Sequence, residues 1–536
     1  MSCSADAVST PSWLPLVRLK NCSIIAKIPS SSSTAEYRSR AAKPKVRTGC
    51  VVCKIRRVKC DERQPECLRC TSTGRKYEGY APPRQKRAPT NVVTPTTALD
   101  TSIPAIVQFN TGTTGEKRAL HVFCLVSRND FSHHFEPASW TQLVLQSAHT
   151  YPTVRRALNA VGALYEAYLR DEHKTHRSQG VLDTPTSQHT LVEYTKAVSY
   201  LSQDLQARRL PKQAVLSCCL LFIWLEFLRN DFATALRHLR SGLSILLDMQ
   251  KSSSSGLASL DTAYRAILSI CARLQIQATV HGCPSSDFNS STPECPFQLI
   301  TNPVPAFFSS AMEACLYLDA KIISILQFIR RKQSFEREYG TDASCTFEWV
   351  ELIVMRDTYL SDLGRWKATL EHSPSLATGR STEEPTFARL EIDHLMAVIF
   401  LENLFSETEM SYDEHNADFI RLLSLSEYLL NNLVIDLSIP VLSLDSGVIP
   451  SLFYITLKCR EPKTRRRALQ LLRAAPDREG MWHRDTMCAA SAWKVGMEEA
   501  WQVGQPGEEA LADLTSEYEL ASQIEGCWIL LVPAAA

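Results

Sequence analysis

The amino-acid sequence predicts a mainly α-helical protein made of a small cysteine-rich module, a linker and a large all-α domain. Three observations carry this. Apolar residues recur at three- and four-residue spacing from about residue 116 onward. Strand-type alternation is almost absent. Five of the 18 cysteines fall within residues 50–70, just ahead of a Pro/Thr-rich stretch. At 536 residues the chain has room for two to four domains, or for one small module and one large core. Its 45% apolar and 21% charged content are globular values.

Residues 1–42 hold a Ser30–Ser33 run and no periodicity, and are expected to be a disordered extension. Met1–Thr10 is polar and lacks the basic start and apolar run of a secretory leader. Residues 43–80 are the cysteine module. From Lys43 to Arg87 there are 14 Lys/Arg against 4 Asp/Glu, a net +10, so the rest of this +1 chain carries −9. A compact basic module on a mildly acidic body suits a protein that binds a polyanion.

Residues 81–115 form the linker. Pro82, Pro83, Pro89, Pro95 and Pro104 sit among eight Thr, which predicts an extended, semi-rigid segment. No a/d run of apolar residues survives these prolines, so a dimerising zipper is not expected there.

Residues 116–536 are read as the all-α domain. Val154, Ala157, Leu158, Val161, Leu164, Tyr165 and Tyr168 share one helix face, and Leu236, Leu239, Leu243 and Leu246 repeat the spacing. Pro211 ends one helix, and Lys212–Arg229 begins another. Further helices are predicted over 259–280, 309–334, 346–370, 386–410 and 415–436, with breaks at Ser252–Gly256, Cys283–Pro305 and His372–Pro385. Ala214–Leu228 is the most apolar window. It is too short, and Glu226 makes it too polar, to span a bilayer, so no membrane span is expected.

The cysteines are ordered Cys50-x2-Cys53-x6-Cys60-x6-Cys67-x2-Cys70, and six residues later stands Tyr77. Two C-x2-C pairs with a fifth Cys between them form a metal-site pattern. Thiolates at this spacing can converge on a tetrahedral zinc ion. The remaining cysteines are scattered in apolar helical context, as at Cys218-Cys219, and read as buried thiols of a reducing compartment.

The spacing and its basic flanks resemble the fungal-type zinc binuclear cluster, in which six Cys hold two zinc ions. The resemblance implies that Cys50 and Cys67 bridge the ions, that Cys53 and Cys60 complete the first, and that Cys70 serves the second. Pro65 matches the family's loop proline, and Gly49 and Gly74 supply turns. The sixth ligand position holds Tyr77, which leaves the second ion one thiolate short. Three outcomes stay open: water or Glu78 fills the place of a weak second zinc, one zinc binds, or the module does not fold stably. Metal supplies nearly all the folding energy of so small a module.

Between the second and third Cys lie Lys54, Ile55, Arg56, Arg57, Val58 and Lys59. In the family this segment is a short helix whose end enters the major groove. Ile55 and Val58 are expected to pack inward, with Lys54, Arg56, Arg57 and Lys59 as DNA-binding residues. The resemblance implies CGG-type sites, and arginine suits bidentate contact with guanine. Lys43, Lys45, Arg47, Lys54, Lys59, Arg63, Arg69, Arg75 and Lys76 are placed, by count alone, for phosphate neutralisation. Arg84-x-Lys86-Arg87 is read as a nuclear-import or tail contact.

Several stretches resemble the helical middle region that follows the cluster in one group of fungal transcription factors. They are Trp140–His149, Leu225–Arg229, His238–Leu243, Arg273–Gln277, and Val448–Trp482 with its Lys458–Lys463 segment. With the cluster, the resemblance covers roughly residues 45–490. It implies a nuclear transcription regulator whose partners are double-stranded DNA and transcription machinery or co-regulators, with dimerisation open. A second reading is an interaction protein whose Tyr77-impaired module no longer reads DNA directly. His133-His134 with Glu136 lacks a third ligand at metal spacing, and Arg465–Arg467 reads as a solvated helix face. There is no Walker-type or Rossmann glycine loop, no G-x-S-x-G and no H-E-x-x-H, so no enzyme is expected.

Overall fold

Prolines and polar caps set the helix boundaries of the body. The computed structural model describes residues 50, 52–53, 58, 60–61, 63, 67–74, 113–130, 137–171, 185–251, 262–281, 297, 304–340, 346–377, 384–406, 408–432 and 442–503. The chain divides into two units, one carrying the cysteine module and the other the helical body. The module contributes the short helix α1 (Leu68–Thr71). The body runs α2 (Thr114–Asp130), α3 (Pro137–Thr150), α4 (Pro152–Asp171), α5 (Pro185–Gln206), α6 (Lys212–Leu228), α7 (Phe232–Lys251) and α8 (Thr262–Val280). It continues with α9 (Ala311–Tyr339), α10 (Phe347–His372), α11 (Pro374–Ala377), α12 (Glu384–Glu402), a 3-10 helix (Glu409–His415) and α13 (Asn416–Asn431). After β1 (Leu442–Ser443) come α14 (Ile449–Lys458), α15 (Pro462–Ala474), β2 (Arg478–Glu479), β3 (Trp482–His483) and α16 (Arg484–Val503).

The starts of the later helices follow local chemistry. Ser310 accepts the Glu313 N–H to cap α9, and Glu313 in turn accepts the Ser309 N–H at 2.8 Å. Thr346 caps α10 through the Trp349 N–H. Glu461 caps α15 through Thr464, with Pro462 in the first turn.

Three apolar clusters make the core. The first joins α2 to α8 and centres on α6, where every residue from Ala214 to Leu228 is buried. A helix apolar on all sides is a core helix. The expected faces of α4 and α7 meet it through Val154, Leu158, Val161, Leu239 and Leu246. Cys218 and Cys219 are buried there as thiols. The long helix α9 joins two clusters, turning Leu316, Ala320 and Ile323 to the first and Leu318, Leu326, Phe328 and Ile329 to another with α10. The third cluster packs α12 to α16 around Phe419, Leu452, Phe453 and Leu472.

Polar residues stitch these clusters together. β1 pairs parallel to β2, and β2 pairs antiparallel to β3. The β2–β3 hairpin turns on Gly480 and Met481, and Gly480 has φ 59°, which favours glycine. Gln277 of α8 donates to the Leu444 carbonyl at 2.9 Å and accepts the Met481 N–H at 2.9 Å. Arg273 pairs with Asp319 of α9 at 3.4 Å and with Asp445. Arg389 donates to the Ser446 carbonyl at 2.5 Å. The buried Glu479 carboxylate accepts the N–H groups of Gly447, Val448 and Ile449 at the start of α14.

Strands are almost absent among the described residues, as expected, each of the three having only two residues. Other expectations need correction. The helix expected to run to residue 410 ends at Glu402, and a 3-10 turn follows. Arg465 is no solvated residue: it is 2% exposed and pairs with Glu498, because its helix lies against α16. Arg467 pairs with Glu427. His133, His134, Glu136, Arg84, Lys86, Arg87 and the Ser252–Gly256 break lie outside the described residues. Among the described residues no helix is long and apolar enough to cross a membrane.

Candidate metal centre

The module's described residues are organised by sulfur. Val52 and Cys53 are helical, and the Val58 N–H donates to the Cys53 carbonyl at 3.1 Å. Helix α1 follows Cys67 directly and carries Cys70 on its buried side. The chain then turns at Gly74, whose φ of 63° lies in the left-handed region and whose N–H donates to the Thr71 carbonyl at 3.0 Å. These turns bring together five thiols spread over 21 residues of sequence.

The sulfurs of Cys50, Cys53, Cys60 and Cys67 all lie within 4.8 Å of one another. Cys53 and Cys67 are 3.7 Å apart, and Cys60 and Cys67 are 3.5 Å apart. Cys70 lies 3.7 Å from Cys50 and 3.7 Å from Cys53. Zn–S bonds of ~2.3 Å at tetrahedral angles put ligand sulfurs about 3.8 Å apart, so the spacing fits a zinc thiolate site. Cys50, Cys53, Cys67 and Cys70 are almost wholly buried, whereas Cys60 is partly exposed. Among the described residues Cys50, Cys53, Cys60 and Cys67 are the group of cysteine, histidine and carboxylate side chains whose ligand atoms lie close enough together to hold a metal ion.

Burial, reinforced by hydrogen bonds from the neighbouring thiols, pushes the Cys53 thiol well above its usual range. Cys67 is pushed up to about 11, first by its hydrogen bond to Asp61 and then by burial. The Cys53 and Cys67 thiols therefore keep their protons until a cation displaces them. The Asp61 carboxylate accepts the Leu68 N–H at 3.0 Å and so pins the Cys60–Cys67 loop to the start of α1. Asp61 was not foreseen from the sequence. The signal was an acid beside a ligand and seven residues ahead of a helix whose N-cap, Cys67, provides no side-chain cap.

Not every expected site residue can be placed. Lys54, Ile55, Arg56, Arg57, Lys59, Pro65, Tyr77 and Glu78 lie outside the described residues. Val58 is 37% exposed rather than packed inward, because the sulfur cluster itself fills the centre of the module. Arg63 and Arg69 are exposed on the surface of the module.

Residues 48–87 match the fungal Zn(2)-Cys(6) binuclear cluster domain. The chain is 32% identical over 224 residues to the aspercryptin biosynthesis cluster-specific transcription regulator atnN of Emericella nidulans, covering 38% of this chain and 35% of that protein. It is 25% identical over 202 residues to the transcription regulator lscL of Purpureocillium lilacinum, covering 36% of this chain and 47% of that one. Over 41 residues it is 51% identical to the transcriptional regulatory protein moc3 of Schizosaccharomyces pombe, 8% of each chain. The chain thus matches between about a third and a half of the length of the first two of these relatives. No solved structure matches the chain significantly.

Proposed function

We propose that this chain, a Zn(2)-Cys(6) cluster protein through its residues 48–87, is a sequence-specific DNA-binding transcription regulator acting at RNA polymerase II promoters. The observation that carries this reading is the gathering of cysteine sulfurs at metal-ligand spacing within a strongly basic segment. Zinc held among Cys50, Cys53, Cys60, Cys67 and Cys70 fixes the segment between Cys53 and Cys60. Lys54, Arg56, Arg57 and Lys59 on that segment then contact DNA, with arginine reading guanine in CGG-type sites. The other basic residues neutralise phosphates and give affinity without sequence information.

The chain is divided as residues 1–42, 43–80, 81–115 and 116–536, with the last part regulating transcription or recruiting co-regulators. Function is exercised in the nucleus by binding and recruitment. Relatives named as transcription regulators support this reading.

The test uses the full chain, titrated with a CGG-containing duplex and with a scrambled duplex across salt concentrations. A preference for the CGG duplex is expected, and Arg57→Ala should reduce it by the ~1–3 kcal/mol of one bidentate base contact. Equal binding to both duplexes would favour an interaction protein that acts without reading DNA.

A further inference from the structure

Helix α10 has 26 residues and two unlike sides. Leu352, Leu363, Trp366 and Leu370 are buried in the cluster that α10 shares with α9. On the opposite side Phe347 is 74% exposed, Val350 53% and Val354 58%. Their spacing of three and then four residues sets them in one row on the helix. Single exposed apolar residues are ordinary, whereas a row of three on one face is the pattern by which a helix docks on another.

The row continues toward the C-terminal end as Ser361, Gly364 and Ala368, all exposed. A Cβ on Gly364 would have nothing within 4 Å. The face is therefore bulky in its first half and shallow in its second. Phe347 and Ala368 are equidistant in sequence from a point between Asp357 and Thr358, and so are Val354 and Ser361. Two such helices laid antiparallel about a two-fold axis at that point put Phe347 of each copy over Ala368 of the other, and Val354 over Ser361. Bulk meets shallow along the whole contact. A parallel pair would set Phe347 against Phe347 and leave the shallow halves unfilled.

Charge obeys the same symmetry. Glu351 and Arg365 are both exposed, lie on one flank of the row, and are equidistant from Thr358. Antiparallel helices bring like flanks together, so Glu351 of each copy meets Arg365 of the other, twice per pair. Asp357, beside the axis, is held by Arg356 at 2.8 Å.

We propose that α10 is a contact surface between two copies of this chain, packed antiparallel about a two-fold axis beside Thr358. The contact is isologous, the commonest form in symmetric oligomers. One helix pair is smaller than a standard interface, so a dissociation constant of about 1–100 μM is expected. The inference concerns the helical body and does not depend on the zinc or DNA-binding reading.

The test is sedimentation equilibrium of the full chain over a concentration series. A monomer–dimer equilibrium is expected, and Val354→Asp should weaken it by about tenfold or more. Glu351→Arg and Arg365→Glu should each weaken it about fivefold, because each sets like charges together twice. An equimolar mixture of those two variants should restore association, because the mixed pair regains both ion pairs. A chain that stays monomeric throughout the series would overturn the proposal. So would a dimer indifferent to Val354→Asp, or a mixture that associates no better than either charge variant alone. Circular dichroism checks that each variant is folded. Should Val354→Asp fail to fold, the mixing experiment decides the question by itself.

Discussion

The sulfurs of Cys53 and Cys67 lie 3.7 Å apart although 14 residues separate them in sequence. Few apolar side chains surround the pair: the described module contributes only Val52 and Cys60 around its four buried cysteines. Packing of that extent cannot close a loop on its own, whereas metal binding can. Chelation of zinc from the full chain is therefore expected to abolish sequence-specific DNA binding. The body's cooperative thermal unfolding should remain, because its apolar clusters contain no described residue of the module. Circular dichroism and a binding assay, run on the same chelated sample, check both halves of this expectation.

Asp61 tethers the ligand loop to α1 through the Leu68 N–H. Outer-shell partners of this kind typically change metal affinity by about 10–100-fold when removed. Asp61→Ala should weaken zinc binding by roughly that factor, measured by competition with a chromogenic chelator. Asp61→Asn keeps an acceptor oxygen and should recover most of the loss. Equal losses in both variants would mean that the tether contributes nothing.

Two helical glycines should respond oppositely to alanine. A Cβ on Gly162 of α4 would strike the backbone of Ala119 on α2, and that backbone cannot yield as a side chain would. Gly162→Ala should cost about 1–3 kcal/mol by overpacking. Gly364 of α10 has nothing within 4 Å of such a Cβ. Gly364→Ala should stabilise by about 0.5–1 kcal/mol through the higher helix propensity of alanine. Urea titrations of the two variants supply the comparison.

His281 lies edge-on to Trp482 with ring centroids 4.5 Å apart, and burial, with the Arg478 charge adding, pushes its pKa down to about 3. The unfolded chain takes up this proton near pH 6.5, the folded one only near 3. Between those values the unfolded state binds more protons, so this group's contribution to stability falls as pH falls. His281→Leu should lessen the loss of stability between pH 7.5 and pH 5 by roughly 2 kcal/mol. An unchanged pH slope in the variant would contradict this.

Much of the fold could be read from local pattern. The all-round apolar α6, the Leu stripe of α7 and the proline at position 211 each declare themselves within a few residues. The cysteine module was legible because its spacing is itself the signal. What was not legible is long-range polar pairing. Arg273 meets Asp445 across 172 residues, and Arg478 donates to the Phe227 carbonyl across 251. No periodicity marks such partners. Arg465 misled for the same reason: three consecutive arginines suggest solvent, but Glu498 waits on a neighbouring helix. Glu479 likewise gives no sign in the sequence that its carboxylate caps α14 from a strand thirty residues away.

The most direct test of the account is the ratio of affinities of the full chain for CGG-containing and scrambled duplexes, measured before chelation, after it, and after zinc is restored. The account predicts a preference for the CGG duplex that disappears on chelation and returns with zinc, while the residual binding depends only on salt. A ratio near one in all three states, in protein shown to carry zinc, would contradict it.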